Sequence, residues 1–299
     1  MSLALRGSAG ARAAQQRAIA CVCGASALFV GAAAIVKAVA ADIPVMEIVL
    51  FRSLVAALVL LPLLRGQGGW TALRTRRPWG HLGRTLAGFV GMATAFYGYA
   101  VLPLATVTAL GFAMPLCLAV LSGPLLGERV GPARGAAVAA GLAGVLIMLR
   151  PWQQLAGDAG SLPPVPVLIV LSGVVAWALA MISIRRMGAL GERNVTIVLW
   201  FSLGSTAMAA ILVVPVWVTP APLELLGLCA VGAVSAAAQM LMTEGYRAGE
   251  TTLVAPFEYG AILYSTVLGV AIWGEIPDLW SLVGIVILVV AGLAVWRSA

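Results

Sequence analysis

Few side chains in this 299-residue chain can do chemistry, and most of those lie inside long apolar runs. Arg52, in Phe51-Arg52-Ser53-Leu-Val-Ala-Ala-Leu, falls about nine residues into one run. An arginine at the centre of a bilayer costs about 2.5–3.5 kcal/mol, so it must face a cavity or meet a partner. Glu47, on the same run, and Glu258 are the candidate partners. The other reading is that Arg52 contacts the carboxylate of a small molecule. Glu258 stands in Ala255-Pro256-Phe257-Glu258-Tyr259, after a proline that removes a backbone donor and loosens the turn before it. It could hold an ammonium group, carry a proton or pair with an arginine. Lys37, the only lysine, and Glu47 come near the ends of their runs, where an external salt bridge or a snorkelling charge is the plainer reading. Glu244 is one helical turn from Arg247 and can pair with it locally.

The aromatic side chains gather in the same runs: Tyr97 and Tyr99, Phe112, Trp177, then Phe257, Tyr259 and Tyr264, with the amide of Gln239 on a neighbouring run. For any one of them core packing is the ordinary reading. Convergence of several on one region would suit an apolar or amphipathic ligand. Trp70, Trp79, Trp152, Trp217, Trp280 and Trp296 fall near run ends and form an interfacial belt.

Other chemistries are poorly served. His81 is the only histidine, and Cys21, Cys23, Cys117 and Cys229 lie in apolar surroundings with no third ligand nearby, so no metal site is expected. The spans offer no nucleophile–base pair of an enzyme. No Gly-x4-Gly-Lys-Ser/Thr loop is present for nucleotide binding, and no cofactor is expected.

These residues need elements to position them, and the composition says what the elements are. Sixty-two per cent of residues are hydrophobic and 10% charged, where soluble domains carry about 25% charged residues. The bilayer is the solvent. Ten runs near the length of a span can be marked: 18–40, 44–64, 79–101, 103–126, 131–149, 164–187, 193–218, 222–247, 251–273 and 278–296. The expected fold class is an all-α integral membrane protein of ten transmembrane helices. The net charge of +7 does not indicate nucleic acid, because the arginines sit in short clusters between runs. Assigning the connections alternately to the two sides places fifteen arginines with the N- and C-termini, Arg84 counted among them. Lys37 and Arg150 fall on the other side. That asymmetry puts both termini in the cytoplasm. The basic start and the Ala38-Val-Ala40-Ala stretch could pass for a signal peptide, but the run is longer than a signal core and removing it leaves the first half one helix short.

The chain also repeats itself. Tyr99–Glu128 laid on Tyr246–Glu275 without gaps, an offset of 147, matches at seven of thirty positions, both windows opening on Tyr and closing on Gly-Glu. The division expected is 1–150 for the first five helices, 151–163 for an external linker and 164–299 for the second five. Five is odd, so the second half enters from the opposite face, giving inverted repeats, the architecture of alternating-access carriers. Glu128 and Glu275 each precede a new helix, where an acid favours the helix N-terminus. The small residues from Gly135 to Gly144 and from Gly284 to Gly292 imply close packing, within the chain or between copies.

The helix count, the repeat, the Phe51-Arg52-Ser53 pattern and the Leu126-Gly127-Glu128 and Trp273-Gly274-Glu275 endings together resemble the drug/metabolite transporter superfamily, over nearly the whole chain. The compact form and aromatic content look most like its bacterial amino-acid exporters, including the aromatic branch. The resemblance implies a secondary transporter in the bacterial inner membrane, exporting amino acids, aromatic or hydrophobic ones included, and related metabolites. Its partners would be a small-molecule substrate and lipid, with no nucleic acid, as a monomer or homodimer. On the residues' own chemistry, a transporter would draw its substrate contacts from Arg52, Tyr97, Phe112, Trp177, Gln239, Phe257, Glu258, Tyr259 and Tyr264, with Lys37, Glu47 and Glu244 as gating or structural charges. Export of cationic or amphipathic compounds is the alternative, and a scaffold or a membrane enzyme a distant one. One departure stands out: Trp200-Phe201-Ser202, at the place answering Arg52, carries no arginine.

Overall fold

The structure, a computed structural model, describes residues 2–62, 64, 69, 73–75, 77–114, 117, 120, 121, 125, 132–149, 162–248 and 260–297. Ten α-helices run through them: α1 (Ser2–Val39), α2 (Val45–Leu60), α3 (Pro78–Val101), α4 (Leu104–Gly111), α5 (Pro132–Leu149), α6 (Pro164–Ala189), α7 (Asn194–Val213), α8 (Pro222–Ala248), α9 (Gly260–Trp273) and α10 (Leu279–Arg297). A 3-10 turn, Val214–Val216, follows α7. No strand occurs among the described residues. Four of the helices contain stretches long and apolar enough to cross a bilayer: Gln16–Val39, Pro164–Ile184, Val195–Val216 and Pro222–Met242.

Proline punctuates the starts. Pro78, Pro132, Pro164 and Pro222 open α3, α5, α6 and α8, where the missing N–H would have had no intrahelical partner. Pro44 and Pro103 stand just before α2 and α4. Glycine closes α9: Gly274 adopts a left-handed φ of 67°. There Gly274 N–H reaches Val270 O at 3.1 Å and Glu275 N–H reaches Gly269 O at 3.1 Å, satisfying two end carbonyls.

Two elements depart from the expected runs. α1 begins at Ser2, well before the apolar stretch. α4 stops at Gly111, where Phe112 N–H and Ala113 N–H turn back to the carbonyls of Ala109 and Leu110, both at 3.0 Å. The turn expected to be loosened by Pro256 lies outside the described residues.

α1 packs on α8, α3 on α6, α5 on α10, and α2 on both α7 and α8; α3 also meets α7, α9 meets α1 and α4, and α4 meets α6. Exchanging each helix with the one five places along carries these pairs into one another, whereas the lesser α1–α3 and α2–α3 contacts have no counterpart of that extent in α6–α8 and α7–α8 among the described residues. α1–α8 becomes α6–α3, α2–α8 becomes α7–α3 and α1–α9 becomes α6–α4. The remaining pairs, α2–α7, α4–α9 and α5–α10, map onto themselves. Small residues allow the approach. A Cβ at Gly98 would sit 2.5 Å from Val170, one at Gly232 2.5 Å from Val55, and one at Gly144 3.1 Å from Gly284 O. Gly144 of α5 and Gly284 of α10 thus meet within the chain, while Gly135 has open space beside it.

Apolar side chains lie on the outside of the bundle as well as in its core. Leu58, Ile211, Leu263, Val267, Val286 and Val290 are exposed, while Glu47, Ser53, His81, Arg84 and Ser205 are buried. Apolar side chains cover the outside because lipid, not water, is the surrounding medium.

Candidate functional site

Halfway along α2, Arg52 reaches into a cluster formed with α3 and α7. Val49, Phe89, Met92, Phe201 and Ala209 are its buried members, with Phe96 and Trp177 packed against them. Arg52 Nη1 donates to Met92 Sδ at 3.0 Å, a weak acceptor, and its Cζ lies 5.9 Å from the Phe201 ring centroid. A second arginine shares that ring. Arg84 Cζ stands 4.2 Å from the Phe201 centroid. Arg84 is 7% exposed, and its Nε and Nη1 have no hydrogen-bond partner. Gly88, one turn along α3, makes room for it: a Cβ there would overlap Arg84 Nη1 and lie 2.8 Å from Phe201 Cε2. Ser53 on α2 and Ser205 on α7 are fully buried, and each hydroxyl also lacks a partner. Among the described residues no carboxylate forms an ion pair with Arg52 or Arg84.

A different arrangement occupies the ends of α1, α3 and α9. Lys37 Nζ lies 2.8 Å from Glu275 Oε1 and donates to Leu102 O at 2.8 Å, with Trp273 at 5.6 Å from its centroid. Glu275 Oε2 accepts the N–H of Leu104 at 2.9 Å. The acid of the second Gly-Glu ending therefore caps α4, 171 residues away, and not the helix that follows it. The turn that closes α9 fixes this, because its hydrogen bonds hold Glu275 folded back beside Gly269. The expected salt bridge of Lys37 is present.

Glu47 does not partner Arg52. It is fully buried, and Oε2 accepts the N–H of Val218 at 3.2 Å in the α7–α8 connection. Five residues along a helix is about 140° of rotation, so the two side chains leave α2 in different directions. Arg84 corrects the charge count as well, since it lies inside the bundle and not with the loop arginines. His81 is buried at the start of α3, 5.5 Å from the Trp200 ring and 3.6 Å from Glu192 Oε2. Glu192 Oε1 accepts from Thr75 at 2.7 Å, joining the α2–α3 connection to the α6–α7 turn.

Of the other residues picked out by sequence, Trp177 joins the arginine cluster, packing 3.1 Å from where a Cβ on Gly91 would stand. Phe112 packs instead with α5, α6 and α10 residues such as Val145, Val174 and Leu288. Tyr97 and Gln239 are half-buried on α3 and α8. Tyr264 is 36% exposed on α9, apart from the arginines. Phe257, Glu258 and Tyr259 lie outside the described residues, as does the side chain of Glu244. Sequence reading missed Arg84 and the role of Phe201. The signal for Phe201 was its place answering Arg52 in the second half. For Arg84 it was a glycine one turn later on the same helix face.

The pattern of the EamA-like transporter family matches residues 16–150. The chain is 33% identical to a riboflavin transporter of Rhizobium johnstonii over 249 residues, 81% of this chain and 78% of that protein. It is 32% identical to the pseudopaline exporter CntI of Pseudomonas aeruginosa over 266 residues, 89% and 90% of the two chains. It is 28% identical to an S-adenosylmethionine uptake transporter of Rickettsia prowazekii, over 84% of this chain and 83% of that one. One crystal structure, 22% identical, shares the fold with a TM-score of 0.65 over 93% of this chain and 95% of its own.

Proposed function

From the premise that this chain belongs to the EamA-like transporter family, and is a membrane transporter and not an enzyme, we propose that it carries carboxylate-bearing small molecules, amino acids among them, by alternating access. The observation that carries this reading is Arg52. A half-buried guanidinium halfway along a helix, held by a thioether and an aromatic face, calls for an anion, and the cargo supplies one. Met92, Phe201 and Trp177 around it give an apolar wall for the body of an amino acid with an aromatic or hydrophobic side chain. The same two arginines repel a cation, which argues against cationic drugs as cargo.

The relatives named above carry different molecules in different directions, so family membership leaves cargo and direction open. The amino-acid reading rests on the site, and export on the resemblance to amino-acid exporters. Our reading keeps residues 1–150 and 164–299 as inverted halves joined by an external linker at 151–163, in the bacterial inner membrane with both termini in the cytoplasm. The exchange of the broadest helix contacts supports the two halves, and the arginine-rich connections support the orientation.

The deciding experiment is counter-flow in proteoliposomes against a panel of unlabelled amino acids. Carboxylate-bearing compounds should drive accumulation of label, and decarboxylated amines should not. Equal exchange of amines, or no exchange of any amino acid, would overturn the proposal. Right-side-out and inverted vesicles then set the direction.

A further inference from the structure

Resting on the transport reading, the geometry points to a subsite for a dianion: we propose that Arg84 and Arg52, both on the Phe201 ring, take a cargo with two negative groups on an apolar or aromatic body. Arg84 is the new element. It is over nine-tenths buried, its Nε and Nη1 are unpartnered, and Gly88 leaves the space its guanidinium occupies. Two like charges around one ring, with no carboxylate paired to either among the described residues, repel each other and lack the hydration they would have in water. A single carboxylate neutralises one of them and leaves the other uncompensated. A second carboxylate or a phosphate neutralises both. Ser53 and Ser205, buried hydroxyls with free hydrogen-bonding capacity on the helices that carry Arg52 and Phe201, add neutral donors for the remaining anion oxygens. Phe201 supplies a flat apolar surface beside the charges. The subsite therefore narrows the cargo from amino acids at large to dicarboxylic or phosphorylated compounds of that shape.

The test is calorimetric titration of the purified full-length protein in mild detergent with benzoate, terephthalate, phenyl phosphate and benzylamine. At least one of the two dianions should bind ten-fold or more tightly than benzoate, and benzylamine should not bind. Terephthalate above phenyl phosphate names the source as a dicarboxylate, and the reverse order a phosphate. Arg84→Met should erase the preference for dianions while leaving the melting temperature equal or higher, since it removes an unpartnered buried charge. Gly88→Ala, which keeps the charge but displaces it, should weaken dianion binding several-fold and serves where Arg84→Met does not fold. Benzoate binding as tightly as both dianions, or a dianion preference that survives both substitutions, would overturn the subsite. These outcomes separate from those of the transport reading. Counter-flow of monocarboxylic amino acids without dianion binding leaves the carrier intact and removes the subsite, whereas dianion binding without any counter-flow does the reverse.

Discussion

Lys37 and Arg52 are both cations on helices that read as apolar, and the chain treats them in opposite ways. Lys37 has a carboxylate at 2.8 Å, a carbonyl at 2.8 Å and an aromatic face, and its carboxylate partner in turn caps α4. Charge and hydrogen-bonding capacity are balanced inside the protein. Arg52, with Arg84 beside it, has a thioether and an aromatic ring, and nothing anionic among the described residues. A charge that the fold satisfies belongs to the fold, and its loss is felt as stability. A charge that the fold buries and leaves unsatisfied is maintained against a cost, and its loss is felt in what the protein binds.

The comparison breaks most visibly at Lys37. Lys37→Met strands Glu275 in a partly buried site. Losing one partner of a fully buried pair costs roughly 3–5 kcal/mol, and the partial exposure of both side chains lowers this to about 2–3 kcal/mol. Unfolding in mild detergent should show that loss, and Lys37→Met with Glu275→Gln should recover about half of it. Equal losses in the single and double variants would mean the pair is not coupled. Arg52→Met comes next, with the opposite signature. Transport should fall at least ten-fold, which is about 1.4 kcal/mol, while unfolding stability stays level or rises. A stability loss as large as that of Lys37→Met would place Arg52 with the structural charges.

Glu275→Gln alone is milder, since an amide oxygen still accepts from Leu104 and only the charge assistance and the ion pair go. A loss of about 1 kcal/mol is expected in the same unfolding measurement. The smallest effect belongs to Glu192→Gln, which keeps an acceptor for Thr75 and gives up a 3.6 Å contact to His81. Within about 0.5 kcal/mol of the parent protein is the expected result. A large loss there would show that the far end of the bundle has its own satisfied charge network.

Much of the fold was legible because lipid makes hydrophobic length the dominant signal. Eight of the ten helices start within a few residues of the apolar runs, and proline and glycine mark their limits. α1 was misjudged at its start, because a helix can continue through a basic, polar stretch once an apolar segment anchors it. The site was half legible. Arg52 stood out because an arginine amid Leu, Val and Ala has few readings. Arg84 did not, because it lies about two turns from a basic connection, and hydropathy alone does not separate a buried arginine from a snorkelling one. The partners of Glu47 and Glu275 sit 171 residues away in each case, set by long-range packing that local spacing does not report.

The helix pairings have a consequence for how the chain is assembled. α1 lies on α8 and α3 on α6, so the broadest contacts join the first five helices to the last five. Neither five-helix piece, made alone, would find lipid a substitute for the shape-matched glycine grooves it is missing. Severed between α5 and α6 and co-expressed, the two pieces should find one another in the bilayer and rebuild a working carrier, while either by itself is left as a substrate for quality-control proteases.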